Sequence, residues 1–243
     1  MLANVFKRYE RKYKLTAESY TNFKELISNY VVLDVYGEYT IYNIYYDTQE
    51  YDLIRKSIEK PIFKEKLRLR SYMEANDRTE VFIELKKKYK GIVYKRRSQL
   101  EYAQAKEFLI DAKMRRNTSS QVLKEIDSFL STYKVSEKVL IYYNRAEYIG
   151  MKEKGLRITF DNNLRFREAN FELKKDETDS EIIPNNEVIM EIKTNDSFPL
   201  WLCQILSKEK IYPISFSKYG TCYKNYIFQR LLKERGTHEK LSN

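Results

Sequence analysis

The sequence predicts an α+β protein built around an antiparallel β tunnel or barrel with a basic lumen, flanked by several α-helices. Seven segments alternate apolar and charged residues with a period of two, which is typical of strands that bury one face. Across these segments the charged face is mostly cationic and carries few Ser, Thr, Asn or Gln residues. A closed or nearly closed barrel with a charged interior accounts for this better than a sheet with one solvated face.

Each strand prediction rests on the parity of its residues. In segment 64–72, Lys64, Lys66, Arg68 and Arg70 share one face, and two leucines occupy the other. The other six segments are 8–15, 80–88, 92–98, 142–148, 156–161 and 188–194. Their charged parity carries Arg8, Glu10, Lys12, Lys14, Glu84, Lys86, Lys95, Arg97, Arg145, Glu147, Arg157, Asp161, Glu191 and Lys193.

Amphipathic segments with helical spacing lie between the predicted strands. Thr16 is the expected N-cap of a helix that extends to about Tyr30, and Thr48 is the expected cap of a second helix. Further helices are predicted at 102–112, at 120–133, after Ser197 and at 222–235, and a surface loop is predicted at 174–187.

The chain shows no linker and no internal repeat, so we predict a single domain over 1–235 followed by a polar tail at 236–243. It also shows no charge-free run of about 18 residues and no apolar segment behind its first charges. We therefore expect neither a signal peptide nor a membrane span, and a cytoplasmic location.

The amino-acid composition limits the kinds of ligand and catalytic site that this protein can have. The 243 residues include 45 Lys and Arg against 35 Asp and Glu, a net charge of +10 that indicates a polyanionic partner unless it reflects compositional bias. The single histidine, His238, excludes a His-based zinc site or catalytic triad. Gly150 and Gly155 have the glycine spacing of a Walker A loop, but Leu156 and Arg157 replace the required Lys and Ser/Thr. A phosphate site here would be built from side chains.

Nine short motifs follow one another along the chain. They are RYERKY (8–13), IYNIYYDT (41–48), KEKLRLRSY (64–72), ELKKK (84–88), YKRR (94–97), YYNRAEY (142–148), LRITFD (156–161), MEIK (190–193) and SFSKYG (215–220). In this order, from about residue 6 to about residue 230, they resemble the vacuolar transporter chaperone (VTC) polyphosphate polymerase domain, a branch of the triphosphate tunnel metalloenzymes. The resemblance implies a β tunnel whose basic side chains hold triphosphate or polyphosphate, with Mn²⁺ or Mg²⁺ on an acidic residue.

The resemblance also implies roles for individual residues. Catalytic roles fall to Arg68, Arg70, Lys86, Arg145, Arg157 and Lys218. Phosphate-binding roles fall to Lys12, Lys66, Lys95, Arg97 and Lys193, with Lys64 extending the basic track. Glu191 is the implied metal ligand, and Glu10 and Glu84, which share the parity of the lumen, are second-rank candidates. Tyr219 is expected to flank the phosphate path.

One departure from the wider superfamily bears on the reaction. Classical tunnel triphosphatases begin with ExExK, whereas this chain has Arg8, Glu10 and Lys12. Losing one acid and gaining one base favours a polymerase that transfers the γ-phosphate of ATP to a growing inorganic polyphosphate chain. The alternatives are a triphosphatase that hydrolyses inorganic triphosphate or a nucleoside triphosphate, and a non-catalytic polyphosphate-binding module. Nucleic-acid binding is disfavoured because the tyrosines lie mostly on the apolar parity or on helices.

Overall fold

The computed structural model describes residues 9–116, 118–195 and 197–241. The strands are β1 Tyr9–Thr16, β2 Val31–Asp47, β3 Phe63–Ser71, β4 Glu80–Tyr89, β5 Ile92–Glu101, β6 Ser136–Gly150, β7 Arg157–Arg167, β8 Ser180–Glu181 and β9 Glu187–Thr194. The helices are α1 Ala17–Ile27, α2 Asp52–Ile58, α3 Tyr102–Ile110, α4 Ala112–Arg116, α5 Gln121–Thr132, α6 Leu200–Lys208, α7 Lys218–Cys222 and α8 Phe228–Leu241. A π-helical turn, Tyr223–Ile227, joins α7 to α8.

The strands form one sheet of nine strands in the order β1-β9-β7-β6-β2-β3-β4-β5, with β8 paired to β7. The predicted α+β class, with an antiparallel sheet flanked by helices, is confirmed. Within the described residues the order starts at β1 and ends at β5, so of the closed and nearly closed forms that we considered, full closure by strand pairing is not observed. Both end strands carry several cations: Lys12 and Lys14 on β1, and Lys95, Arg96 and Arg97 on β5. Charged side chains on an edge strand disfavour pairing with a further strand.

The chain divides into two compact units. The first comprises Met1–Thr40, Tyr143–Leu164 and Ile183–Phe216, and the second comprises Ile41–Tyr142, Arg165–Ile182 and Ser217–Asn243. In the first unit, Phe23 and Ile27 of α1 pack with Phe160, Met190 and the start of α6. In the second unit, the apolar parity of β3 and β4 packs with α3 and α5. The prediction of a single domain over 1–235 stays a prediction.

The helix caps agree only in part with the sequence. Thr16 caps α1, and its hydroxyl accepts a hydrogen bond from the Ser19 N–H at 3.1 Å. The second helix starts later than expected: Tyr51, with a φ of 59°, occupies the N-cap, and Thr48 instead bonds to the Asp52 N–H. The N–H groups of the first turn of α2 are satisfied by the carboxylate of Asp47. We therefore correct the N-cap from Thr48 to Tyr51, with the side chains of Asp47 and Thr48 accepting hydrogen bonds from the N–H groups of the first turn.

The strands that we predicted from parity are all present, but β2 was missed. It spans 17 residues, and much of it is apolar on both parities, so alternation does not reveal it. Its enrichment in Val, Ile and Tyr was the available signal. The C-terminal segment is helical as far as Leu241, which includes most of the predicted tail. Among the described residues no helix combines the length and apolar character that a membrane span requires.

Candidate functional site

The charged face of the second unit is organised in rows that cross β3, β4 and β5. In one row Arg68 and Arg97 lie directly opposite Glu84 on the strand between them. In the next row Lys66 and Lys95 lie directly opposite Lys86. Like charges directly opposite one another on neighbouring strands destabilise a sheet. The lysine row is therefore an arrangement that an anion would stabilise.

Glu84 is the centre of the first row. Its side chain is only 1% exposed. Arg68 approaches Oε2 through Nε at 2.7 Å and through its terminal nitrogen at 2.6 Å. Lys95 Nζ lies 2.6 Å from Oε1, Arg97 Nε lies 3.4 Å from Oε1, and Arg70 Nε lies 3.8 Å from Oε2. We call these five residues the Glu84 cluster. With four cations around one carboxylate, the cluster remains strongly cationic.

The pKa values in the cluster follow from this arrangement. Burial raises the pKa of Glu84, but the charges of Arg68, Arg70 and Lys95 outweigh burial and hold the pKa well below its ordinary value. Burial lowers the pKa of Lys95, and Glu84 opposes that shift only in part. Glu84 is thus an anion at neutral pH, and it holds the cations together.

Two aromatic residues also contact the arginines of the cluster. The guanidinium of Arg97 lies 3.5 Å from the ring centroid of Phe82, and it donates a hydrogen bond to the Tyr72 hydroxyl at 3.0 Å. Arg70 donates to the amide oxygen of Asn43 at 2.9 Å. These contacts restrict the rotamers of both arginines. The sequence did not point to Phe82 or Asn43, because neither side chain is charged. Phe82 lies on β4 and Asn43 lies on β2, so each contacts an arginine of another strand.

The start of α7 places Lys218 next to a buried hydrogen-bond network. Tyr219 donates a hydrogen bond to Asp47 Oδ2 at 3.0 Å, and Asp47 also accepts from backbone N–H groups at residues 48, 53 and 54. Burial raises the pKa of Asp47, and these hydrogen bonds oppose the shift. Ser217, which caps α7, lies 3.4 Å from Lys66 Nζ. Tyr219 is buried, so it anchors this corner instead of presenting its ring to a phosphate path.

We expect Tyr219→Phe to lower the free energy of unfolding by about 1.5–3 kcal/mol, because the Asp47 carboxylate loses one of its hydrogen bonds in a buried site. Urea unfolding followed by circular dichroism measures the change. Tyr226→Phe is the control, since among the described residues its hydroxyl makes a single long hydrogen bond, of 3.5 Å, to the Ile182 carbonyl oxygen. Equal losses of stability in the two variants would contradict a stabilising role for the hydrogen bond between Tyr219 and Asp47.

The charged face of the first unit contains a second set of rows, on β1, β9 and β7. Lys12 and Thr159 lie opposite Glu191 on the strand between them, and Glu10 and Arg157 lie opposite Lys193. Lys12 Nζ lies 3.9 Å from Glu191 Oε2 and 3.7 Å from Glu10 Oε1, and Lys193 forms an ion pair with Glu191. The Thr159 hydroxyl is buried and has no hydrogen-bond partner within the described residues.

The two arginines of this unit are in different environments. Arg145 forms a bidentate pair with Asp161, with distances of 2.6 and 2.8 Å, and Asp161 is fully buried. Burial lowers the pKa of Arg145, but the charge of Asp161 more than compensates, so the pKa is raised. Arg157 is half-exposed and contacts Glu147 at 3.1 Å. Arg157 is therefore more accessible to a ligand than Arg145.

The carboxylates differ in how well they fit a divalent metal ion. Among the described residues there is no group of three or more His, Cys, Asp or Glu side chains placed to hold a metal. Glu191 lies directly opposite Thr159, whose hydroxyl has no hydrogen-bond partner among the described residues, and Glu10 lies on the neighbouring strand β1. One or two carboxylates suit an ion such as Mg²⁺ that takes its other ligands from phosphate oxygens and water. Glu84, with four cations around it, does not suit a metal ion.

The structure thus brings the predicted site residues together in two sets. The set in the first unit is Glu10, Lys12, Arg145, Arg157, Glu191 and Lys193. The set in the second unit is Lys66, Arg68, Arg70, Glu84, Lys86, Lys95, Arg97 and Lys218. Their individual roles in binding and catalysis stay predictions.

Comparisons with known proteins agree with this fold and these motifs. The VTC domain family matches residues 7–227, so the chain belongs to the VTC domain family. A "putative adenylate cyclase" from Bacillus halodurans has a similar fold, with a TM-score of 0.52 and 13% identity over 86% of this chain and 92% of that one. A second protein described as a putative adenylate cyclase, from Vibrio parahaemolyticus, has a TM-score of 0.45 and 11% sequence identity, over 88% of this chain and 96% of that one. A comparison with curated protein sequences gives no significant match.

Membership of this family supports a triphosphate-binding function for an enzyme of the triphosphate tunnel type. The basic rows and the two carboxylates of β1 and β9 are compatible with such a function.

Proposed function

We propose that this protein is a metal-dependent polyphosphate polymerase that transfers the γ-phosphoryl group of ATP to the end of a growing inorganic polyphosphate chain. The observation that carries the proposal is the row of three directly opposed lysines, Lys66, Lys86 and Lys95, beside the Glu84 cluster. A linear polyanion has the repeated charge that would neutralise such a row. A single carboxylate, or a neutral ligand, would leave most of the repulsion in place.

Phosphoryl transfer suits a site composed in this way. The transition state spreads negative charge over the non-bridging oxygens, so catalysis depends mainly on positioning and charge neutralisation. Arg68 is suited to bidentate contact with phosphate oxygens, and the lysines act as point charges. A terminal oxygen of the polyphosphate forms the new bond to the γ-phosphorus, the bond to the β–γ bridging oxygen breaks, and ADP leaves. Because the acceptor is already an anion, no strong general base is needed.

Glu191, with Glu10 on the neighbouring strand, would hold the Mn²⁺ or Mg²⁺ that the family implies. When bound, such an ion supplies positive charge that neutralises triphosphate oxygens. Lys12 and Lys193 form ion pairs with Glu191 and add their own charges to the same surface.

The first strand supports polymerisation over hydrolysis. Arg8 stands in place of the first glutamate of ExExK, which reduces the negative charge available there for metal binding, whereas Glu10 and Lys12 match the pattern. Arg8 itself lies outside the described residues. Hydrolysis remains the competing reaction, since water in place of the polyphosphate acceptor yields orthophosphate from the same bound ATP.

The proposal is tested by incubating the protein with ATP and Mn²⁺ and sizing the phosphate product on a gel. We expect chains that lengthen with time, and a loss of at least about 100-fold in turnover for Glu191→Gln and for Arg68→Ala. Release of orthophosphate without chain growth would replace the polymerase by the triphosphatase, and binding without turnover would replace both by a binding module.

Glu187→Gln is the matched control for Glu191→Gln. It makes the same chemical change on the same strand, but Glu187 pairs with Lys14 at 2.8 Å near the strand's start. We expect its turnover to stay within about twofold of the unmodified protein. Calorimetry with tripolyphosphate gives an independent measurement: Mn²⁺ should strengthen binding to the unmodified protein and not to Glu191→Gln.

A further inference from the structure

The end of the β4–β5 hairpin exposes an unusual number of apolar side chains. Together with the strand start beside it, the hairpin end presents Ile62, Phe63, Tyr89, Ile92, Val93 and Tyr94, each between 40% and 67% exposed. We call these six residues the hairpin tip. Phe63, Tyr89 and Ile92 lie directly opposite one another in the sheet, so the backbone register holds three of them in one row.

The hairpin tip has a defined backbone conformation. Lys90 and Gly91 both have positive φ, 46° and 86°, which is the conformation of a tight two-residue hairpin turn. The Lys90 N–H also donates to the Ile62 carbonyl at 2.9 Å, which ties the turn to the start of β3. The apolar residues are consequently displayed on an ordered element, at little cost in conformational entropy on binding.

The same hairpin is strongly cationic. Residues 86–97 contain seven Lys or Arg residues and no Asp or Glu. Burial lowers the pKa of Lys64, and the nearby charges of Lys88 and Lys60 lower it further. The cations beside the hairpin tip are thus close enough to repel one another. An apolar tip with a surplus of positive charge calls for a partner that is both apolar and anionic.

We propose that the hairpin tip docks on an anionic membrane surface. Tyrosine and aliphatic side chains are favourable at the boundary between lipid headgroups and acyl chains, where lysines can remain at the level of the headgroups. Each Lys or Arg near such a surface contributes about 1 kcal/mol. Lys86, Lys95 and Arg97 of this hairpin belong to the set proposed to bind ATP, but the six residues of the hairpin tip and the cations Lys87, Lys88, Lys90 and Arg96 lie outside it. These residues carry the inference apart from the proposed function.

A second copy of the chain fits the hairpin less well. Strand β5 is the last strand in the sheet order, but Lys95, Arg96 and Arg97 would place cations against cations in an edge-to-edge pairing.

A contrasting surface exists in the first unit. Val32, Leu33, Val35 and Tyr36 of β2 are also exposed, and Val35 is 93% exposed. However, Asp34 lies among them, and residues 31–47 contain no Lys or Arg. This segment has the exposed apolar character of the hairpin tip without its charge, so it provides a control.

The test is flotation with vesicles of phosphatidylcholine alone or with 30% phosphatidylserine added. We expect the unmodified protein to float with the anionic vesicles and not with phosphatidylcholine alone. Ile92→Asp and Lys90→Glu should each reduce binding to the anionic vesicles by about tenfold or more, because each removes a favourable contact and adds a repelled charge.

The controls are Val35→Asp and Lys152→Glu, which make the same chemical changes at exposed positions outside the hairpin, and they should bind as the unmodified protein does. Circular dichroism confirms that each variant is folded. The proposal fails if the unmodified protein does not float, or if hairpin and control variants lose binding equally. It also fails if the hairpin variants abolish self-association or RNA binding and leave vesicle binding unchanged.

Discussion

Glu84→Gln is expected to lower the free energy of unfolding by about 3 kcal/mol, because it leaves four cations gathered around a neutral amide. The full cost of an uncompensated buried charge would be larger, but Lys95 and Arg97 are partly exposed and water screens them. Urea unfolding at neutral pH measures the change. Millimolar tripolyphosphate should recover part of the loss, since an added anion can replace the missing carboxylate.

The stabilising effect of Glu84 on the folded protein should depend on pH. The pKa of Glu84 lies below its ordinary value of 4.5 in the folded protein, so its stabilisation is complete above about pH 4.5 and is lost as the pH falls further. The difference between the unmodified protein and Glu84→Gln should therefore narrow below pH 4.5. Glu65→Gln is the control, because Glu65 is also buried but is paired with one cation, Lys87, at 3.2 Å. If Glu65→Gln lowers the free energy of unfolding as much as Glu84→Gln does, the number of cations around the carboxylate does not account for the loss.

Arg145→Met is expected to destabilise the protein by about 3–5 kcal/mol, because Asp161 is fully buried and would lose a bidentate partner. Thermal and urea unfolding measure the change. Arg157→Met makes the same substitution at a half-exposed ion pair, so its cost should stay below about 1 kcal/mol.

The double variant Arg145→Met/Asp161→Leu separates the charge effect from the loss of packing. Replacing both partners by apolar residues removes the unpaired buried charge, so we expect it to be more stable than Arg145→Met alone. A double variant that is less stable than Arg145→Met would contradict this account. Tripolyphosphate affinity, measured by calorimetry on the folded variants, then shows whether Arg145 also contacts phosphate.

Parity was a reliable guide to the strands because it follows directly from backbone geometry. Successive side chains on a strand point to opposite faces, so a segment such as 64–72 carries its own evidence. Where both parities are apolar, as in the second half of β2, that evidence is absent. The cap of α2 was missed for another reason. The positive φ of Tyr51 moves the start of the helix, and the carboxylate of Asp47 reaches its N–H groups from the end of a strand.

The motifs identified the family, and parity placed the cations on the correct face of each strand, but neither predicted what those cations contact. Arg68 and Arg70 were expected in catalytic roles and Lys95 and Arg97 in phosphate binding, and the structure gathers all four around Glu84. The sequence likewise gives no sign that Asp161 is the partner of Arg145. These pairings join residues on different strands, and their distances depend on the register between the strands.

The sequence by itself determined the class of fold, the family, the excess of positive charge and the face of each strand that carries it. These properties depend on local alternation, on composition and on the order of short motifs, none of which requires knowing which distant residues are in contact. Only the tertiary structure decided that the sheet remains open, that Glu84 organises four cations, and that Tyr219 is a buried anchor. Those features depend on strand register and on burial, which are set by contacts between residues far apart in the chain.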